Sequence, residues 1–221
     1  MSVQVVFAQN PINTDRPDQS DGTYVLPQNN FQVEEGIQIA QSDFQNNLML
    51  RYGVTKSTEA RLLLDYAQMD GSNGIMPLGF SVKQRLLKSN KIIPAITLVG
   101  YIRTGKFASN DFKTSENLID IKLAFQNDVS ERLSLSYNIG TSTAFNNLNC
   151  TFNIGYSPTN KIATFLEYFS GFEKDQLPSN NLDAGILYLI TDRLQLDVAF
   201  GSSIQLIKED DFLTTGFSYR F

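Results

Sequence analysis

The chain has 221 residues, a net charge of −5 and 42% hydrophobic residues, which suffices for one large domain or two small ones. It contains no histidine, which excludes Ser-His-Asp and Cys-His catalysis and histidine-based metal sites. Its single cysteine, Cys150, excludes an internal disulfide and a multi-cysteine metal site. We therefore expect no enzyme, no cofactor and no metal; paired carboxylates are the remaining route to acid–base catalysis.

The hydropathy of the chain excludes one kind of membrane segment. No apolar run reaches about 18 residues, so the sequence predicts no transmembrane helix. A membrane β-barrel stays open, because its strands alternate and keep the average hydropathy near that of a soluble protein. The mean hydropathy here is −0.18. Basic residues are scattered singly, which argues against a nucleic-acid partner.

The first thirty residues lack a strand pattern. Residues 1–9 have a short apolar core and a small residue near a suitable cleavage point, as in a remnant of a secretory signal peptide, although the basic start is missing. A short disordered N-terminus is the alternative. Residues 10–30 are polar and contain Pro11, Pro17 and Pro27, which indicates an extended lead-in without regular structure.

From Phe31 onward, apolar and polar residues alternate with a period of two, the pattern of strands with one apolar face. The alternation predicts strands near 31–40, 48–54, 59–66, 78–86, 94–103, 119–126, 132–139, 148–156, 162–169, 182–188, 193–200 and 213–221. The pattern does not set the facing of 94–103 or of 162–169, where Glu167 among bulky residues suggests a bulge. About twelve strands of about ten residues have the number and length that tilted strands need to close a barrel across a bilayer.

The connections between these strands alternate in length. Short turns fall at 55–58, 88–91, 127–130, 157–160 and 191–192, and longer links at 41–47, 68–77, 104–116, 141–147, 171–181 and 202–210. This alternation is typical of an up-and-down barrel of the bacterial outer membrane, with short turns in the periplasm and long loops outside. Both termini are then periplasmic.

The last strand carries its apolar and aromatic residues on one face and ends on Phe221. An exposed apolar edge strand invites pairing with other chains, whereas the last strand of a barrel closes against the first. We expect this one to pair with residues 31–40. Its pattern also resembles the signal read by the barrel-assembly machinery, with Gly216, Phe217, Tyr219 and Phe221 as its candidate residues. The alternative is an ordinary sheet strand.

A soluble β-sandwich would also alternate, but its outward face would be charged and its inner face would form one dry core. Here the polar face carries opposite charges on strand after strand, while the other face is almost wholly apolar. The pattern therefore favours an all-β transmembrane barrel at residues 31–221 of a Gram-negative outer membrane, with the apolar face against lipid.

Several stretches resemble one known family. They are Thr14–Asp18 (Thr-Asp-Arg-Pro-Asp), Gln32–Gly36, Leu50–Thr55, Gly185–Asp197 and Gly216–Phe221. Together they are similar to the outer-membrane "transporter" family labelled "Putative MetA-pathway of phenol degradation". The resemblance runs from Thr14 to the end and implies an outer-membrane β-barrel. It implies little about the transported solute, and Glu35 stands where the family leads us to expect a small polar residue.

If the apolar face meets lipid, the charges of the polar face line the lumen. These candidates are Glu34, Arg51, Arg61, Asp65, Lys83, Arg85, Asp120, Lys122, Arg132, Glu167, Asp183, Arg193, Asp197 and Arg220. They form either a charged channel that screens solutes or a salt-bridged filling that conducts nothing. Residues 10–30 are either a periplasmic lead-in or a plug in the lumen, in which Asp15, Arg16 and Asp18 lie and Arg16 and Asp18 pair with wall charges.

Two functions remain open. The first is a porin-like channel for passive or facilitated passage of small solutes, including hydrophobic ones. The second is a non-conducting structural or accessory subunit of an outer-membrane protein complex, gripped through the long loops or the N-terminal segment.

Overall fold

The structure, a computed structural model, describes residues 11–41, 43–90, 93–142, 146–204 and 211–221. Within these ranges the chain is almost entirely β. The strands are β1 (Phe31–Ala40), β2 (Asp43–Gly53), β3 (Thr58–Met69), β4 (Ser72–Ile75), β5 (Leu78–Leu87), β6 (Ala95–Thr104), β7 (Leu118–Asp128), β8 (Leu133–Ser142), β9 (Asn147–Tyr156), β10 (Ile162–Glu173), β11 (Ser179–Thr191), β12 (Leu194–Ser203) and β13 (Phe212–Arg220). Two 3₁₀ turns, Gly105–Phe107 and Asn110–Phe112, lie between β6 and β7. The proposed signal-peptide remnant, residues 1–9, lies outside the described residues.

Each barrel strand pairs antiparallel with the next, and β1 pairs with both β2 and β13, which closes the sheet on itself. The short β4 pairs only with β3 among the described strands and stands outside the ring, because β3 also pairs directly with β5. The ring therefore has twelve strands, and the predicted closed antiparallel barrel is confirmed. The described residues contain no helix that is long and apolar enough to cross a membrane.

The barrel is polar inside and apolar outside. The buried charged side chains of the described barrel strands are Glu34, Arg51, Glu59, Arg61, Lys83, Glu167, Asp183, Asp197 and Arg220. The large exposed apolar side chains include Ile39, Leu64, Val82, Leu98, Ile121, Ile139, Phe152, Leu166, Ile186, Val198 and Phe217. This inversion of the usual arrangement is that of a membrane-spanning barrel and not of a soluble sandwich.

The structure settles the two runs whose facing the sequence left open. In β6, Thr97 and Val99 are buried while Leu98 between them is exposed. In β10, Phe165 and Glu167 are buried and Leu166 is 51% exposed. The expectation of a bulge near Glu167 is wrong, because β10 keeps a continuous register with both neighbours. An inward phenylalanine is accommodated there by a glycine: a Cβ on Gly185 would lie 2.4 Å from Phe165 Cε1.

Several predicted links are shorter than expected. The prediction of a link at 41–47 is wrong, because β2 begins at Asp43 and pairs with the whole length of β1. Likewise, β10 continues to Glu173 and β11 begins at Ser179. Strands that extend past the membrane can be polar on both faces, so the apolar period disappears while backbone pairing continues. Glu35 lies on the outward face of β1 and accepts a hydrogen bond from the Asn46 amide.

Candidate functional site in the barrel lumen

Residues 11–30, here called the lumenal segment, run through the interior of the barrel. The backbone N–H of Ile12 donates to Asp192 O at 2.9 Å, in the short turn between β11 and β12. The N–H of Asn29 donates to Gly53 O at 2.9 Å, at the end of β2. Gly53 is required there, because a Cβ would lie 2.0 Å from Pro27 O. The segment therefore enters and leaves at the end of the barrel that carries the short turns.

Asp15 of the lumenal segment meets three cations of the wall. Lys83 Nζ lies 2.7 Å from Asp15 Oδ1, and Arg61 Nη1 lies 2.9 Å from Asp15 Oδ2. Arg51 Nη1 is 3.6 Å from the same Oδ2. Burial alone would raise the pKa of Asp15, but the cations of Arg51, Lys83 and Arg61 outweigh it and lower that pKa. Asp15 is therefore held as a carboxylate.

Arg51 also binds two carboxylates of the wall. Its Nη1 lies 2.5 Å from Glu34 Oε1, and its Nε lies 2.7 Å from Glu59 Oε1. Glu59 additionally accepts from the Leu26 N–H at 2.7 Å, which ties the lumenal segment to β3. The lumen-lining residues predicted from the sequence do not include Glu59, although it lies two residues before Arg61 on the same polar face of the strand. That period-two position was the signal that could have identified it.

Asp21 occupies a second basic site. Arg61 Nη1 lies 3.0 Å from Asp21 Oδ1, and Lys122 Nζ lies 3.1 Å from Asp21 Oδ2. The Tyr101 hydroxyl donates to Asp21 Oδ1 at 2.5 Å. Burial acts to raise the pKa of Asp21, and Lys122 and Arg61 overcome it, so the net shift is downward. Sequence reasoning missed Asp21 and Tyr101, since residues 10–30 are interpreted as an extended lead-in and the facing of residues 94–103 is not set.

The opposite wall is acidic and binds the lumenal segment differently. Arg16 Nη2 lies 3.1 Å from Asp197 Oδ1 and donates to Thr214 Oγ1 at 3.1 Å. Glu167 accepts from the Gln19 N–H at 2.7 Å and from the Ser20 hydroxyl. The hypothesis that Arg16 pairs with a wall charge thus agrees with the geometry.

Asp18 does not pair with a cation in the described structure, contrary to the sequence hypothesis. It accepts from Asn153 Nδ2 at 2.8 Å. Burial and the nearby carboxylates, Glu167 first, raise the pKa of Asp18 well above its ordinary value. Asp183 pairs with Glu167 in the β10–β11 register, is 2% exposed, and has no hydrogen-bond partner on either carboxylate oxygen among the described residues. This wall therefore concentrates acidic side chains.

The remaining lumen candidates lie nearer the two ends of the barrel. Asp65 accepts from Asn47 Nδ2 at 3.3 Å, and Asp120 lies 3.7 Å from Arg103 Nη1. Arg220 is buried and donates to Asp192 O at 3.3 Å.

Three candidates are corrected, because they lie at the rim beside the short turns. Arg85 donates to Lys56 O, Arg132 is exposed and donates to Pro158 O, and Arg193 is exposed. Each lies where a strand meets a short turn, so the side chain reaches solvent or the turn backbone instead of the lumen.

Two cavities lie above the lumenal segment at the other end of the barrel. A cavity of about 390 Å³ is lined by Gln19, Gln38, Phe44, Phe169 and Asn181, among others. A neighbouring cavity of about 320 Å³ is also lined by Gln19, together with Lys122 and Asn138. Both cavities, which lie at the long-loop end, therefore reach the lumenal segment at Gln19.

The barrel is similar to several solved structures. The outer membrane channel from Pseudomonas putida F1 shares 12% identity over 93% of this chain and 100% of that chain, with a TM-score of 0.68. The KdgM porin in complex with disordered oligogalacturonate shares 13% over 87% of this chain and 99% of that one, with a TM-score of 0.67. The NanC porin shares 7% over 86% and 98%, with a TM-score of 0.64. At these identities the likeness shows a common fold.

Sequence comparison identifies the family. No curated protein sequence matches the chain significantly. The family described as "Putative MetA-pathway of phenol degradation" matches residues 14–221. The match covers the barrel and begins at Thr14, within the lumenal segment, as the sequence resemblance predicted. The chain belongs to this family.

Proposed function

We propose that this chain is a channel of the bacterial outer membrane for small solutes, closed in the state described here by its own lumenal segment. The short-turn end, where both ends of the barrel sequence lie, faces the periplasm, and the long links face the outside. Solutes pass when residues 11–30 withdraw from the wall.

The outward surface supports the membrane location. It carries apolar side chains strand after strand, which suits contact with lipid. Tyr52, Tyr156 and Tyr188 are exposed at the short-turn ends of their strands, beside Phe31 and Phe221. Such a girdle of aromatic residues is typical of the membrane–water interface.

The observation that carries the channel proposal is the chemistry of the contacts between the lumenal segment and the wall. Asp15, Arg16, Gln19 and Asp21 are held by ion pairs and hydrogen bonds, which water or a solute can replace. Buried apolar residues of the segment are few, namely Ile12, Pro17, Val25 and Leu26. A charged wall of this kind favours polar solutes over hydrophobic ones.

Deleting residues 10–30 tests the proposal. We expect the variant, reconstituted in planar bilayers, to show a larger single-channel conductance than the full chain. A length-matched variant with Asp15, Asp18 and Asp21 changed to Asn and Arg16 changed to Gln separates the effect of charge from that of volume. An unchanged conductance in both variants, with the barrels shown to be folded, contradicts the proposal.

A second function is favoured by one observation, the ion-pair network that fills the short-turn half of the lumen. A barrel filled in this way serves as a non-conducting accessory subunit of an outer-membrane complex. Its signature is a folded barrel that stays closed after the deletion and copurifies with partner proteins from native membranes.

A further inference from the structure

We propose that the basic wall formed by Arg51, Arg61, Lys83, Tyr101 and Lys122 is a binding site for the two carboxylates of a short dicarboxylate solute. In the closed state Asp15 and Asp21 of the lumenal segment occupy this site in place of the solute. The inference deepens the proposed channel function and rests on it, since it names the class of solute.

The geometry around the two aspartates is that of carboxylate binding. Asp15 is bound through both oxygens, at 2.7 and 2.8 Å from Lys83 Nζ, and Arg61 Nη1 adds a contact at 2.9 Å. Asp21 is bound by Arg61, Lys122 and the Tyr101 hydroxyl. Charge-assisted bonds of this length are the strong kind that proteins use to recognise carboxylates.

The spacing of the two positions sets the size of the ligand. A single atom, Arg61 Nη1, lies 2.9 Å from Asp15 Oδ2 and 3.0 Å from Asp21 Oδ1. Two carboxylates that contact one guanidinium nitrogen are as close to each other as the two carboxylates of a molecule that has one or two methylene groups between them. Malonate and succinate have this spacing.

No wall carboxylate forms an ion pair with Arg61, Lys83 or Lys122 among the described residues. Among the described residues, the ion pairs of Arg61, Lys83 and Lys122 are all made to Asp15 and Asp21. Glu34 and Glu59 pair with Arg51. When the segment withdraws, these three cations therefore lose their ion-pair partners, and a diffusing dianion restores the lost contacts.

The opposite wall restricts the site to one side of the lumen. It carries Glu167, Asp183 and Asp197, which repel carboxylates. A dicarboxylate thus has one favourable path along β2, β3, β5 and β7.

The test is a chemical rescue in the full-length chain. Changing Asp15→Asn and Asp21→Asn together removes both internal carboxylates and leaves the basic wall intact. We expect added succinate to raise the thermal unfolding temperature of this double variant and to reduce its chloride current in bilayers. The wild-type chain, whose site is filled, responds much less, and 1,4-butanediol, which has the same length without charge, has no effect.

Further variants locate the site. Adding Arg61→Gln to the double variant should weaken the apparent succinate affinity about tenfold, equivalent to about 1.4 kcal/mol. Adding Arg132→Gln instead, which removes an exposed arginine at the rim, should leave the succinate response unchanged. Equal effects of the two changes, or of succinate and butanediol, overturn the proposal.

Two further readouts apply if the double variant does not fold or if the variants do not conduct. If the double variant does not fold, Asp21→Asn alone is tested with propionate, which supplies the one missing carboxylate and should stabilise that variant. If the variants fold but never conduct, the channel proposal fails, while the rise in unfolding temperature with succinate still tests the binding site.

Discussion

Gly36 and Gly216 face each other across the seam between the first and last barrel strands, and the Arg16 side chain lies against both. A Cβ on Gly36 would lie 2.0 Å from Arg16 Cζ, and one on Gly216 would lie 2.7 Å from Arg16 Nε. The Cβ of Gly216 would also meet the Glu35 carbonyl oxygen at 2.2 Å. The seam thus makes room for a guanidinium of the lumenal segment.

Gly36→Ala should displace Arg16 without disturbing the barrel backbone, because every close neighbour of the new methyl group belongs to that flexible side chain. Losing the pair with Asp197 should weaken docking of the lumenal segment by about 1–3 kcal/mol. Hydrogen exchange of the backbone amides of residues 11–30 measures the change. Gly100→Ala is the matched control, since nothing lies within 4 Å of its added Cβ. Equal exchange in both variants would contradict the role given to Arg16.

The same substitution should have opposite effects at two positions of the lumenal segment. Asp15→Asn leaves Arg51, Arg61 and Lys83 without their shared counter-charge and should weaken docking by about 3 kcal/mol. Asp18→Asn removes a carboxylate that faces Glu167 and should strengthen docking. Open probability in bilayers, higher than wild type for the first variant and lower for the second, is the readout. Shifts in the same direction would refute the division into a basic and an acidic wall.

Docking should depend on pH through Asp18, which belongs to the lumenal segment and not to a membrane-spanning strand. Its pKa is raised in the docked state by burial and Glu167, so the docked state binds the proton more tightly. The contribution of Asp18 to docking is then fully present below the ordinary pKa of 3.8 and is lost as the pH rises from there through the raised value. Asp15 and Asp21, whose pKa values are lowered, act below 3.8, where docking weakens as the pH falls.

The measurement is open probability against pH. The wild-type channel should open more as the pH rises from about 4 towards neutrality, and Asp18→Asn should flatten this rise. An identical rise in the variant would assign the titration to another group.

Removing Phe221 should impair assembly more than any transport step. Its N–H donates to Phe31 O at 3.0 Å, and its ring centroid lies 5.3 Å from that of Phe31 and 4.9 Å from that of Tyr219. These three contacts are made across or beside the seam that closes the barrel. The fraction of folded barrel recovered from outer membranes measures the effect. Phe107→Ala, which truncates a phenylalanine exposed on a 3₁₀ turn, is the control, and normal insertion without Phe221 would count against the prediction.

The barrel could be predicted because local alternation decides which face of each strand meets lipid. Residues such as Gln195 and Asp197 are buried while Leu196 between them is exposed, as the period-two pattern requires. The pattern failed where both faces are polar, as in Asp43–Asn47, and where a phenylalanine points inward, as at Phe165. At Asp43–Asn47 the solvent around the strand sets the pattern, and at Phe165 the space left by Gly185 on the neighbouring strand does.

The site could be predicted only in part, because its partners come from distant parts of the chain. Lys83 and Arg61 lie on adjacent strands, yet their common partner Asp15 lies before the barrel begins. Asp15 is a plug candidate from the sequence, but nothing local identifies its partners on the wall or marks Asp21 as its companion. The register of the closed ring decides which charges meet, and that register follows from pairing along all twelve strands.

The lumenal segment forms a loop whose two ends are anchored to the same rim, at Ile12 and at Asn29, and whose middle reaches up to Gln19. Such a loop can leave the lumen through the rim at which it is anchored. No chain end has to pass through the pore, and the β1–β13 seam does not have to open. Gating of this kind leaves every backbone hydrogen bond of the ring in place. The wall of the barrel can therefore stay rigid while the lumen opens and closes.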